Sequence, residues 1–163
     1  MEVVIVCGAP ASGKTSYVKK NMQEGDFVVD IDAIRAAVSF SDRKEPIMNL
    51  TPAIFDIRDF IYSLIENNRI SCRRCWVIAG LPKQADRDNI AARLHGKIVS
   101  IETSEDECVR RALADVARDD KDFQIKIITD YFTAYYTDKK IPLRESRDKT
   151  ISRYIAAMYR YAD

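Results

Sequence analysis

Apolar positions along the chain follow two rhythms. Short, β-branched, nearly unbroken runs occur at Glu2 to Cys7, Phe27 to Ile31, Cys75 to Ala79 and Lys97 to Ile101. Runs without clean alternation suit strands covered on both faces, so they predict a parallel sheet. Between them lie stretches with helical spacing, Lys14 to Met22, Asp32 to Val38, Pro52 to Asn67 and Asp86 to His95. In the longest, Thr51 is the expected N-cap and Pro52 the first helical residue, with Ile54, Ile57, Ile61, Leu64 and Ile65 on one face. After the fourth strand, "TSEDECVRRAL" carries a capping box of Ser104 and Glu107 ahead of Cys108, Val109, Ala112, Leu113 and Val116 at helical spacing. Helix is expected again through Phe123 to Tyr136 and Ser146 to Tyr161. The pattern predicts one α/β domain over residues 1–163, a three-layer fold whose four to five parallel strands are flanked by helices, with a helical C-terminal third at 123–163.

Composition narrows this picture without changing it. A chain of 163 residues, 47% hydrophobic and 31% charged, has enough material for one sizeable core. The formal net charge of +1 argues against broad wrapping of nucleic acid and leaves room for a local basic pocket. No apolar stretch approaches the ~20 residues of a membrane span, so a cytoplasmic protein without membrane contact is expected. Of the four cysteines, Cys72 and Cys75 form a CxxC pair, but His95 and Cys108 are not spaced to complete a zinc site. Reduced cysteines packed as small hydrophobes are expected, with no structural metal.

Chemistry enters at "GAPASGKT", Gly8 to Thr15, which satisfies G-x-x-x-x-G-K-[ST] directly after a strand pattern and before a helix. In such a loop successive backbone N–H groups turn inward at a helix N-terminus and make an anion nest. Gly8, Ala9, Pro10, Ala11, Ser12, Gly13, Lys14, Thr15 and Ser16 are the expected nucleotide-binding residues. Lys14 supplies a charge for the β- and γ-phosphates of ATP, and the Thr15 hydroxyl an oxygen suited to magnesium.

Ligands of a doubly wound sheet lie beyond the carboxyl ends of its strands, so residues that follow each strand carry information. After the second strand, "VVDIDAIRAAV" brings Asp30, Asp32 and Arg35 to that edge. Asp32 and Arg35 share a helix face, where a carboxylate can accept a hydroxyl proton and an arginine can hold an anionic acceptor. The alternative is structural: an aspartate that caps the helix and an arginine that pairs on the surface.

The loop followed by "DIDAIR" resembles the small P-loop kinases related to polynucleotide kinase, zeta toxins and gluconate kinase, and small AAA-type P-loop proteins of phages and prophages. The resemblance covers about the first 120 residues. It implies that Lys14 and Thr15 handle phosphate and metal, that Asp32 is the base for the acceptor hydroxyl and that Arg35 positions the acceptor. It also implies a lid at about 110–122, where Arg110, Arg111 and Arg118 lie, and of these Arg118 is the expected charge-stabilising residue.

The third strand departs from the resemblance. Ala79 and Gly80 stand where many relatives carry an aspartate of the magnesium shell, so Asp30 is the expected replacement. Lys83, Gln84 and Arg87 reach the same edge as substrate-contact candidates, set against an ordinary loop. The tyrosines Tyr131, Tyr135, Tyr136, Tyr154, Tyr159 and Tyr161 read as packing, and the basic run of Arg69, Arg73 and Arg74 as a solvated edge at the other end of the sheet. The expected activity is transfer of the ATP γ-phosphoryl group to a hydroxyl on a nucleotide, a nucleic-acid end or a small metabolite. The alternatives are a P-loop ATPase that acts as a switch or assembly factor, and a nucleotide-binding module without turnover.

Overall fold

The computed structural model describes residues 1–41 and 46–141. The expected Ser146 to Tyr161 helix, and with it Tyr154, Tyr159 and Tyr161, lies outside the described residues. Four strands, β1 (Glu2–Cys7), β2 (Phe27–Asp30), β3 (Arg74–Ala79) and β4 (Lys97–Ser100), form one parallel sheet in the order β2-β3-β1-β4. Six helices accompany them: α1 (Lys14–Asn21), α2 (Ile31–Ser39), α3 (Thr51–Glu66), α4 (Gln84–Leu94), α5 (Glu105–Ala114) and α6 (Lys121–Asp138). The α/β architecture is therefore the one the apolar runs predict.

Alternate residues of the central strands build two cores. Val3, Ile5 and Cys7 of β1, with Cys75 and Val77 of β3, pack beneath Tyr62 and Ile65 of α3 and Leu94 of α4. Val4, Val6, Trp76 and Ile78 point the other way, against Val18 of α1. Burial on both faces explains why the strands read as unbroken apolar runs. A third cluster joins Ala9 of the loop after β1 to Cys108, Val109 and Ala112 of α5 and to Ile125, Ile128 and Phe132 of α6. The helical C-terminal part thus braces the loop directly.

Three local expectations change. Thr51 is the first residue of α3 rather than its cap; Leu50 takes the cap position, and the Thr51 hydroxyl donates to Ile47 O at 2.9 Å. On α3 the buried residues are Ile54, Tyr62 and Ile65, whereas Ile57 is exposed. The third change is at α4, which begins at Gln84 with Lys83 as its cap, so Asp86 falls inside its first turn.

The cysteines behave as small hydrophobes. Cys7, Cys75 and Cys108 are buried, and burial pushes the Cys75 thiol up to about 12 and the Cys108 thiol up to about 11. Among the described residues no group of three or more His, Cys, Asp or Glu side chains could hold a metal ion. At the amino ends of the strands Arg73 pairs with Asp26 at 3.4 Å and Arg74 with Glu2 at 2.8 Å, and Arg74 also lies over the Trp76 ring. No helix of the described residues is long and apolar enough to cross a membrane.

Gly96, between α4 and β4, shows how tightly the first core is filled. A Cβ there would stand 2.9 Å from Ile5 Cδ1 and 3.1 Å from Val3 Cγ1. Gly96→Ala is expected to lower unfolding stability by about 1–3 kcal/mol through overpacking, measured by urea denaturation.

Candidate active site

The site begins where β1 ends. Gly8 must be glycine for lack of space: a Cβ would stand 2.8 Å from Ser12 Oγ and 2.9 Å from Ile101 O. Ala11 takes the left-handed conformation at φ 60, and Gly13, at φ 100, caps α1. The outer lip of the loop is clamped through one carbonyl, since Thr103 Oγ1 and Arg111 Nη1 donate to Ser12 O at 2.9 and 3.0 Å. The Ser12 hydroxyl is buried and has no hydrogen-bond partner among the described residues. A loop with that much curvature and an unspent buried hydroxyl fits an oxyanion ligand.

Lys14 is folded back over the loop that precedes it. Its Nζ donates to Gly8 O at 2.9 Å and to Ala9 O at 2.7 Å. Burial dominates its titration and brings the ammonium down to about 8, against the opposing pull of Asp30. Neutral carbonyl oxygens are weaker compensation for a desolvated cation than a phosphate would be.

Asp30, at the end of β2, is the helix cap that the sequence offered as the structural alternative, and it also faces the loop. Its Oδ1 accepts from the Asp32 backbone N–H at 3.0 Å and so caps α2, while its Oδ2 faces the Thr15 hydroxyl at 3.4 Å. Burial, reinforced by the Asp32 charge, raises its pKa. A partly desolvated carboxylate beside a threonine hydroxyl at a phosphate loop is a donor set that fits a hydrated magnesium ion, a hard cation that takes oxygen ligands.

One cleft of about 1270 Å³ runs from the loop across the ends of β2 and β3. Pro10 to Ser16, Asp30 and Asp32 line its nucleotide side; Arg111, Asp115 and Arg118 close it from the α5–α6 connection. Arg118 is held by Asp115 at 3.2 Å and by the buried Gln124 side chain. Arg110 is on the surface, paired with Glu107. Ala79 and Gly80 lie in the lining, so no carboxylate is presented at the tip of β3.

Two sequence-level candidates sit elsewhere than expected. Arg35 is buried and outside the cleft lining; it donates to Asp32 Oδ1 at 3.0 Å, which leaves only the aspartate on the open side. Arg87 is turned inward, donating to Leu81 O at 2.8 Å and reaching Ser100 Oγ and Tyr131 Oη at 3.4 and 3.3 Å. It is a tie between β3, β4 and α6 rather than a substrate contact. Lys83 and Gln84 are likewise outside the lining.

The opposite wall was missed by sequence reasoning. Phe55, Arg58, Asp59 and Tyr62 of α3 line the cleft together with Asp86, Asn89, Ile90 and Arg93 of the neighbouring α4. The available signal was an aromatic and basic set at Phe55, Arg58 and Tyr62, spaced three and four residues apart beside the apolar stripe.

A parallel sheet whose first strand runs through a glycine-rich loop into a helix, with lysine and threonine at the helix start, defines a P-loop domain of the nucleotide-binding, kinase-like kind. The chain belongs to the AAA domain family, which it matches over residues 3–129. It is similar to a chain in the structure of the Pnkp1/Rnl/Hen1 RNA repair complex, at 15% identity and a TM-score of 0.61 over 85% of its own length. It spans only 45% of that longer chain. TT1252 from Thermus thermophilus is similar over 97% of this chain and 96% of its own, at 15% identity and a TM-score of 0.53. Likeness at this identity concerns the fold. Among curated proteins none matches.

Phosphate in the loop would raise the Lys14 pKa from its depressed value near 8. Above that pH the free protein has lost the proton that the complex retains, so binding takes a proton up and affinity falls as pH rises. Calorimetry of a non-hydrolysable ATP analogue in buffers of different ionisation enthalpy is expected to show uptake approaching one proton at about pH 9 and little at pH 7. Lys14→Ala removes this dependence.

Proposed function

We propose that the protein is an ATP- and magnesium-dependent kinase that transfers the γ-phosphoryl group to a hydroxyl of a second small substrate or chain end. The observation that carries this reading is the size and division of the cleft. Single-ligand pockets run to about 300–1,000 Å³, and this one reaches about 1270 Å³ with a phosphate loop on one side and a separate polar and aromatic wall on the other. An ATPase switch needs only the first half.

In the proposed reaction an acceptor oxygen forms a bond to the γ-phosphorus as the bond to the β,γ-bridging oxygen breaks. ADP leaves with that electron pair, and the hydroxyl proton passes to Asp32. Arg35 orients the Asp32 carboxylate through the 3.0 Å ion pair and is itself fixed by burial. Lys14 and Arg118 neutralise charge that spreads over the transferred group, the larger share of catalysis in phosphoryl transfer. Magnesium, when bound, supplies positive charge at the phosphates; Thr15 and Asp30 are the residues that would hold its shell. Gly8, Ala9, Pro10, Ala11, Ser12, Gly13 and Ser16 complete the phosphate cradle.

One structural relative is part of an RNA repair complex, which brings 5′-hydroxyl oligonucleotides into the acceptor panel beside nucleosides, nucleotides and sugars. With γ-labelled ATP and magnesium, label is expected on one acceptor class. Lys14→Ala abolishes it, and Asp32→Asn lowers kcat by about 10²–10⁴ while sparing ATP binding. Asp30→Asn raises the magnesium requirement by about tenfold or more. Label that appears solely as free phosphate would assign the switch ATPase instead, and normal transfer by Asp32→Asn would remove Asp32 as the base.

A further inference from the structure

The α3–α4 wall contains two arginines that the proposed reaction leaves without a task. The Arg58 guanidinium lies 4.6 Å from the centroid of the Phe55 ring and 5.5 Å from that of Tyr62. Arg93, from α4, lies 5.8 Å from the same Tyr62 ring. Tyr62 is itself buried in the core, so its ring is a fixed platform on which both cations rest. A guanidinium stacked in this way is already oriented, which lowers the entropy lost when it binds a ligand.

In the free protein each of these arginines is paired with an acidic side chain that is itself exposed to water. Arg58 pairs with Asp59, its immediate neighbour on α3, at 2.7 Å. Both Nε and Nη2 of Arg58 donate to Asp59 Oδ1, at 2.9 and 2.7 Å, so an incoming anion takes the place of a half-exposed carboxylate. Arg93 meets Glu66 at 3.4 Å, with both side chains about two-fifths exposed. Solvated pairs of this kind contribute about 0–1 kcal/mol and are readily exchanged for a better anion. Both cations line the same cleft as Asp32, together with Asp86 and Asn89.

From this juxtaposition we propose that the acceptor carries an oxyanion, a phosphate or carboxylate group separate from the hydroxyl that is phosphorylated, and that Arg58, supported by Arg93, receives it on the Tyr62 platform. The inference rests on the kinase reading and narrows its substrate class: an acceptor with a hydroxyl at one end and an oxyanion at the other. Arginine suits such a group because its fork meets two oxygens at once, whereas lysine offers a point charge. Neutral nucleosides and unsubstituted sugars would then be poor acceptors.

The test separates the two readings by filling the P-loop first. Protein saturated with magnesium and a non-hydrolysable ATP analogue is titrated calorimetrically with inorganic phosphate and, in a second arm, with acetate. Saturable binding of at least one probe is expected, weakened by about tenfold or more in Arg58→Gln, as for loss of a charge-assisted hydrogen bond, and partly recovered in Arg58→Lys. Arg93→Gln is expected to weaken it less. The arm that binds more tightly names the oxyanion. Absence of binding by both probes, or binding that Arg58→Gln leaves unchanged, overturns the inference. Analogue affinity, read from the same samples, should be equal in wild type and Arg58→Gln, which also shows that the variant is folded. Failure of the wild type to bind the analogue would count against the kinase reading, and the same probe titrations on the analogue-free protein would still decide the role of Arg58.

Discussion

The cleft depends on one electrostatic constraint: a half-buried ammonium group in its lining is received by two backbone carbonyls. Lys14 meets Gly8 O and Ala9 O, and burial brings its pKa from 10.5 down to about 8. A depression of that size corresponds to about 3 kcal/mol of differential stabilisation between the two protonation states. The rest of the fold must hold the loop in shape against this cost. It does so with Ala9 packed on α5 and α6, with the Ser12 carbonyl clamped by Thr103 and Arg111, and with a glycine at position 8, where any side chain would meet Ser12 and Ile101.

Sheet topology then decides what stands around the lysine. Because β3 lies between β2 and β1, the end of β2 and the start of α2 reach the cleft one strand away from the loop. Asp30 can therefore face Thr15 while it caps α2, and Asp32 follows one helical position later with Arg35 behind it. Asp30 brings a carboxylate to the cleft from the end of β2, whereas Ala79 and Gly80 at the tip of β3 bring none. A Cβ added at Gly80 would meet nothing within 4 Å.

Much of this was legible in the sequence, and what was not has a definable cause. The P-loop, the four strands and Asp30 follow from local rules: a complete motif in its required context, apolar runs without alternation, and position after a strand. Arg35 and Arg87 were harder because an arginine near a cleft edge reads the same whether it points out or in. Only three-dimensional packing shows Arg87 spent on Leu81 and Tyr131, and Arg35 spent on Asp32. The α3 wall was invisible for a related reason. The spacing of Ile54, Ile57, Ile61, Leu64 and Ile65 suggested one apolar face, but the buried residues are Ile54, Tyr62 and Ile65, and Phe55 and Arg58 line the cleft. Helical periodicity locates a stripe to within about one residue, and the border of that stripe is where this site lies.

A structure determined with magnesium and a non-hydrolysable ATP analogue tests the central claim most directly. The account predicts that the triphosphate lies in the Gly8 to Thr15 loop, that Lys14 Nζ leaves the Gly8 and Ala9 carbonyls for phosphate oxygen, and that the metal sits beside Thr15 with Asp30 in its shell. A triphosphate bound elsewhere, or a Lys14 still folded onto its own loop beside a metal that Asp30 does not approach, would contradict it.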